Sequence, residues 1–87
     1  MNDSYQVVIE PTAWRQIMKL AQTTQERLLT AIEGLEADPR PANSKNLKGI
    51  PNGYRLRVGT YRIVYQIQDD ALLVLIVRVG HRREIYR

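Results

Sequence analysis

With 87 residues the chain amounts to one domain, residues 1–87, expected to bury about 60–65% of its unfolded surface; its apolar fraction of 44% and charged fraction of 25% are ordinary for a globular protein. It has no cysteine, no basic-then-apolar leader in residues 1–20 and no run of roughly 18 apolar residues, which argues against a disulfide framework, a thiolate metal site and a membrane span, and fits a cytoplasmic protein. The net charge of +4 is uneven: residues 1–44 carry four basic and six acidic side chains (−2), residues 45–87 nine basic and three acidic (+6).

Tyr5 to Ile9 (YQVVI) reads as a short strand rich in β-branched residues. Pro11 suits a first helical position, and Trp14, Ile17, Met18 and Ala21 recur at helical spacing, so residues 11–21 read as an amphipathic helix. Thr23 and Glu26 have capping-box spacing and open a second helix, with Leu28, Ile32 and Leu35 on one face, that stops at Asp38-Pro39. So short a connection implies an antiparallel helical hairpin whose apolar stripes must cover a sheet. Residues 39–53 hold three of the four prolines and read as a loop. Tyr54–Val58 and Tyr61–Ile67 follow as strands around Gly59-Thr60, a two-residue turn with glycine first, the type II′ signature. Leu72–Val79 is almost wholly apolar, as for a central strand covered on both faces, and Gly80 breaks it before HRREIYR ends the chain. The order β, α, α, then a β-meander gives an α+β fold with a mainly antiparallel sheet.

The turn implies a register. Val58 pairs with Tyr61, Arg57 with Arg62, Leu56 with Ile63 and Arg55 with Val64. Alternation then puts Leu56, Val58, Tyr61, Ile63 and Tyr65 under the helices, and Arg55, Arg57 and Arg62 on the opposite, outward face as surface charges. Two arginines directly opposed in a hairpin are unfavourable by a few tenths of a kcal/mol, a cost that a bound anion removes. The alternatives are arginines splayed into solvent or paired with Glu84. In extended form the last segment sends Arg82, Glu84 and Tyr86 outward with them, and His81, Arg83 and Ile85 inward. Nucleic acid is the commonest partner for such a basic half, and an acidic protein is the next. Arginine forks match phosphate, and a tyrosine stacks on a base or exchanges a proton, so the set suits an RNA phosphodiester under attack by its own 2′-hydroxyl.

NLKGIPNGYRLRVGTYRIVYQI followed by VGHRREIYR resembles the RelE/ParE superfamily of bacterial type II toxins, over nearly the whole chain. The resemblance implies a RelE-like fold and an mRNA interferase that cuts mRNA in the A site of the 30S subunit, beside 16S rRNA, without metal or cofactor, leaving a 2′,3′-cyclic phosphate. It implies a RelB-like antitoxin that blocks the active surface and through which alone the toxin meets operator DNA. The family's catalytic positions fall on Arg62, Arg82 and Tyr86, and the two basic positions of the preceding strand on Arg55 and Arg57; Lys45 and Lys48 of the loop and Arg83 are further candidates for RNA contact by their charge. The family usually has lysines where Arg55 and Arg57 stand. Since an arginine does not give up its proton, the general base falls to Tyr86 first and Glu84 second, with His81 a further acid/base candidate. The alternative on the same fold is a ParE-like inhibitor of DNA gyrase that cuts nothing.

Overall fold

The computed structural model describes residues 4–81. In chain order it contains β1 (Gln6–Ile9), α1 (Pro11–Met18), α2 (Gln22–Gly34), β2 (Ser44–Asn46), β3 (Gly53–Val58), β4 (Tyr61–Gln68), a 3-10 turn (Asp69–Ala71) and β5 (Leu73–His81). The sheet order is β1-β5-β4-β3-β2; β1 runs parallel to β5 and every other pair is antiparallel. This is the expected α+β fold with a mainly antiparallel sheet, made mixed by the parallel β1–β5 pair. Among the described residues no helix is long and apolar enough to cross a membrane.

Pro11 opens α1, as its fixed φ and missing N–H allow. The buried face of α1 runs through Ala13 and Ile17, both 0% exposed, while Trp14 and Met18 stay 44% and 40% exposed. This corrects the stripe expected from Trp14, Ile17 and Met18. A helix resting on β5 through an alanine has no room beneath it for an indole, so the large side chains sit on the rim. Helix α1 stops at Met18, earlier than expected, and Gln25 Nε2 caps it from α2 by donating to the Leu20 carbonyl (2.9 Å) and the Met18 carbonyl (3.2 Å).

Helix α2 begins at Gln22 with Ala21 as its N-cap and no side-chain cap, so the Thr23–Glu26 capping box does not form; both residues lie inside the helix. It buries Leu28 and Ile32, with Leu35 just beyond, and ends at Gly34, four residues before Asp38. The segment expected to be a loop contains β2, which pairs Ser44 with Leu56, Lys45 with Arg55 and Asn46 with Tyr54. Three polar residues carry no strand periodicity of their own; β3 imposes it on them.

The β3–β4 turn matches expectation. Val58 pairs with Tyr61, and of the two turn residues only Gly59 has a positive φ (+60°), as a type II′ turn requires. A side chain at Gly53 is excluded, because its Cβ would fall 2.7 Å from that of Ile50. Strand β5 departs from expectation twice. Gly80 lies within the strand, paired with Arg62 rather than ending it. Only one face is fully covered, burying Val74, Ile76 and Val79, while Leu73, Leu75 and Val77 are half-buried. A bulge intervenes: Tyr65 pairs with Ile76 but Val64 with Arg78, leaving Val77 between them.

The core joins Ile17, Leu28, Ile32 and Leu35 from the helical side to Leu56, Ile63, Tyr65, Ile67, Val74, Ile76 and Val79 of the sheet. Tyr65 is fully buried, and its hydroxyl donates to the Pro39 carbonyl at 2.8 Å, which ties the segment after α2 to the sheet.

A polar cluster ties the same segment to the sheet from outside. Arg40 donates to both carboxylate oxygens of Asp69 (2.7 and 3.2 Å) and through Nε to the Tyr54 hydroxyl (3.0 Å); the Tyr5 hydroxyl donates to Asp69 at 2.6 Å. The Arg40 hydrogen bonds first, and the Tyr5 bond second, hold the Asp69 carboxyl below its ordinary range. The bond to Asp69 raises the Tyr5 phenol. The depressed Asp69 contributes stability above its unfolded pKa, near 3.9, and loses it as pH falls through the folded value; the raised Tyr5 contributes below about 10 and loses it as pH rises through the folded value. The cluster is therefore intact between about pH 4 and pH 10. Urea midpoints at about pH 3 and pH 6 should fall less on acidification for Asp69→Asn than for the wild type; equal acid losses would show that the cluster adds nothing.

Candidate functional site

The β3–β4 register places Arg57 directly opposite Arg62, and Arg55 opposite Val64. On its other side Arg55 faces Lys45 of β2. These four cations lie on the sheet face away from the helices, because Leu56, Ile63 and Tyr65, which alternate with them, are buried in the core. Together with Ala42 and Asn43 they line a recess of about 240 Å³, and no acidic residue lines it among those described.

Asn43 frames the recess. Its Nδ2 donates to the Arg57 carbonyl at 2.9 Å, and its own carbonyl accepts from the Arg57 N–H at 3.4 Å. This two-bond clamp extends the β2–β3 pairing by one step beyond Ser44 and holds the backbone from which Arg57 projects. Nothing in the local pattern of ANSKN marks Asn43 for this role, which needs β3 alongside.

Arg62 is not the surface charge expected. It is 4% exposed, and its Nη1 donates to the Tyr61 carbonyl at 3.1 Å. Alternation gives its side of the sheet but not how far neighbouring strands and side chains cover it. Arg57 is exposed and Arg55 half-buried, so the recess grades from a fixed inner guanidinium to an outer one open to solvent.

Other candidates fall elsewhere. Lys48 is exposed in the β2–β3 connection and does not line the recess. His81 pairs with Tyr61 and meets its ring edge-on at 5.6 Å on the helix side, the inward direction expected. Arg82, Arg83, Glu84 and Tyr86 lie outside the described residues. Sequence reasoning overlooked Arg78, an exposed cation on β5 opposite Val64. It is the one charged residue in the apolar run 72–79, which is the signal that could have found it. No three His, Cys, Asp or Glu side chains among the described residues are placed to hold a metal ion.

Chemically, the recess has the donors of an anion cradle. Guanidinium forks pair two donors with two phosphate oxygens, and fixed cations stabilise charge that gathers on those oxygens during displacement at phosphorus.

Comparison with known proteins places the chain among toxins. A family model described as "ParE toxin of type II toxin-antitoxin system, parDE" matches residues 7–86. The mRNA interferase toxin RelE of Escherichia coli K12 is 32% identical over 87 residues, covering 95% of this chain and 90% of that protein. Toxin RelG of Mycobacterium tuberculosis is 33% identical over 88 residues, covering 95% and 97%. Among solved structures, the RelBE2 toxin-antitoxin complex of M. tuberculosis matches with a TM-score of 0.80 at 31% identity, over 91% of this chain and 99% of that one. The intact E. coli RelBE complex matches with a TM-score of 0.77 at 30% identity, over 90% and 96%.

Arg57→Ala removes one of two opposed like charges and should leave the unfolding free energy unchanged or raise it by a few tenths of a kcal/mol. Arg62→Ala empties a buried position and should cost about 0.5–3 kcal/mol. Inorganic phosphate at fixed ionic strength should raise the melting temperature of the wild type more than that of Arg57→Ala, since a ligand bound only to the folded state stabilises it. Equal rises would remove the anion site.

Proposed function

This chain belongs to the RelE/ParE superfamily of type II toxin-antitoxin toxins, and from that premise we infer that it is an endoribonuclease that cuts mRNA in the ribosomal A site. The observation that carries this reading is the recess of Lys45, Arg55, Arg57 and Arg62: four cations brought together on one sheet face, at the register that sets Arg57 opposite Arg62, where a phosphate would offset the like charges. The name mRNA interferase carried by the E. coli relative supports the same activity.

In this mechanism the scissile phosphate sits in the recess. The ribose 2′-oxygen attacks phosphorus in line, the 2′-O–P bond forms as the P–5′-O bond breaks, and a 2′,3′-cyclic phosphate remains. Arg62, held by its burial, and Arg57 stabilise the charge that builds on the non-bridging oxygens. Arg82 is assigned to the same phosphate. Tyr86 stacks on a base or moves the proton between the 2′-hydroxyl and the departing 5′-oxygen, with Glu84 second in line for that task. Lys45 supplies from β2 the amine that β3 lacks. Arg83 and Lys48 contact flanking RNA, and the chemistry uses neither metal nor cofactor. The antitoxin is of the RelB kind, consistent with the RelBE complexes among the structural relatives; it covers this face, and operator DNA is met only through that complex.

A specific observation favours a second reading. The matching family model is described by ParE, and a ParE-like protein would inhibit DNA gyrase by binding alone. One experiment separates the two. The purified chain is added to a translating extract with a defined message, and 5′ ends are mapped by primer extension. New ends at codon-spaced positions, lost with Arg57→Ala and with Arg62→Ala, are expected; intact message with gyrase supercoiling blocked would move the chain to the second reading. In the same assay Tyr86→Phe should slow cleavage by about ten-fold or more if its hydroxyl moves a proton, and by less than about two-fold if the ring only stacks.

A further inference from the structure

Strand β1 ends at Ile9, opposite Ile76, so among the described residues the stretch of β5 from Val77 to His81 has no strand beside it on that edge. The last turn of α1 closes over this edge, where Gln16 Oε1 accepts the Val79 N–H at 2.7 Å. Between helix and edge lies a second recess, of about 290 Å³, bordered by Gln16, Lys19, Tyr61, Arg78 and His81 among others, with no acidic residue among its described lining. Lys19 and Arg78 are both exposed, and neither lines the first recess.

Arg78 owes its position to the bulge. Strict alternation from Val74 and Ile76 would send residue 78 into the core. With Val77 set between the paired positions, Val79 takes the inward direction and Arg78 the outward one. Arg78 then stands diagonal to Arg62, since Val64 pairs with Arg78 and Arg62 with Gly80, and Gly80 puts no side chain between them. Diagonal neighbours on adjacent strands are about 7–8 Å apart, comparable to one step between phosphates on a single strand. Lys45 on β2 and Arg78 on β5 are separated by three strand spacings, roughly 14 Å. The cations thus form a track across four strands, longer than one phosphate needs, and Lys19 prolongs it over the sheet edge.

We propose that Lys19 and Arg78 form a second phosphate subsite, which takes a phosphodiester of the same RNA strand adjoining the one held by Lys45, Arg55, Arg57 and Arg62. The proposal rests on the reading of the first recess as an RNA site. The Arg78 fork grips the phosphate oxygens and the Lys19 ammonium adds a point charge. The subsite binds and positions; it takes no part in bond making. Lys19, one residue past the end of α1, also suits the negative end of the helix dipole, a role that would be read in stability instead.

The test uses 2′-O-methyl oligoribonucleotides, which cannot be cut, with one and with four phosphodiesters, competing against a labelled probe in fluorescence anisotropy. The wild type should bind the longer one more tightly, with a slope of log Kd against log salt steeper by about 0.7 for each added phosphate contact. The double variant Lys19→Ala/Arg78→Ala should lose that gain, by about ten-fold in Kd, while binding the shorter one unchanged; Lys19→Arg/Arg78→Lys should restore it. Equal affinity and slope for double variant and wild type, with Arg57→Ala weakening both oligonucleotides, would overturn the second subsite and leave the first. No binding of either oligonucleotide by the wild type would overturn the RNA reading and this inference together. A lowered melting temperature with unchanged Kd would reduce Lys19 to a helix-end role and overturn the subsite. Loss of antitoxin binding with RNA binding intact would assign the recess to an acidic protein surface and equally overturn it.

Discussion

The Gly59-Thr60 turn governs the functional face of this molecule. Because it closes on two residues, Val58 must pair with Tyr61, and every pair behind it follows. One residue more in the turn would slip β4 by one position against β3, turning Ile63 outward and Arg62 into the core while Leu56 kept its place. The same constraint that buries the apolar set sets Arg57 against Arg62. Packing and charge concentration are two faces of one register, so the opposed arginines are held in place by the hydrophobic core beneath them.

Neighbouring strands then convert a pair of arginines into a recess. Strand β2 adds Lys45 on one side, with Asn43 holding the Arg57 backbone, and on the other side β5 sets Gly80, without a side chain, against Arg62. Burial of Arg62 immobilises a long side chain, and in the reaction proposed above a fixed guanidinium is what stabilisation of the transition state would require. The site is anchored at a distance too. The chain after α2 is pinned through Tyr65 to Pro39 and through Arg40 to Asp69, so β2 enters the sheet from a secured position.

The parallel pairing of β1 with β5 has a quieter consequence. A four-residue β1 covers only the first half of the nine-residue β5, and among the described residues α1 closes over the rest. Gln16 supplies the acceptor that a strand would have supplied. The exposed rim of Trp14 and Met18 follows from the same geometry, since α1 rests on β5 through its smallest side chain.

By itself the sequence determined what depends on neighbours along the chain: the glycine-first turn and the register it implies, two helices, the side of the sheet on which Arg55, Arg57 and Arg62 stand, and the inward direction of His81. The stretch from Asn46 to Ile67 with the terminal VGHRREIYR pointed to the superfamily, whose membership the comparisons show. Tertiary structure alone decided what depends on residues brought from afar. Three polar residues became β2 because β3 lay alongside; Arg62 was buried by its surroundings; Trp14 was left on the rim by Ala13; the mismatch between β4 and β5 opened the bulge that turned Arg78 outward. Alternation and helical period are properties of a short backbone segment, legible in its own side chains. Depth of burial, edge pairing and a shift of register belong to the space between segments, and no single segment encodes them.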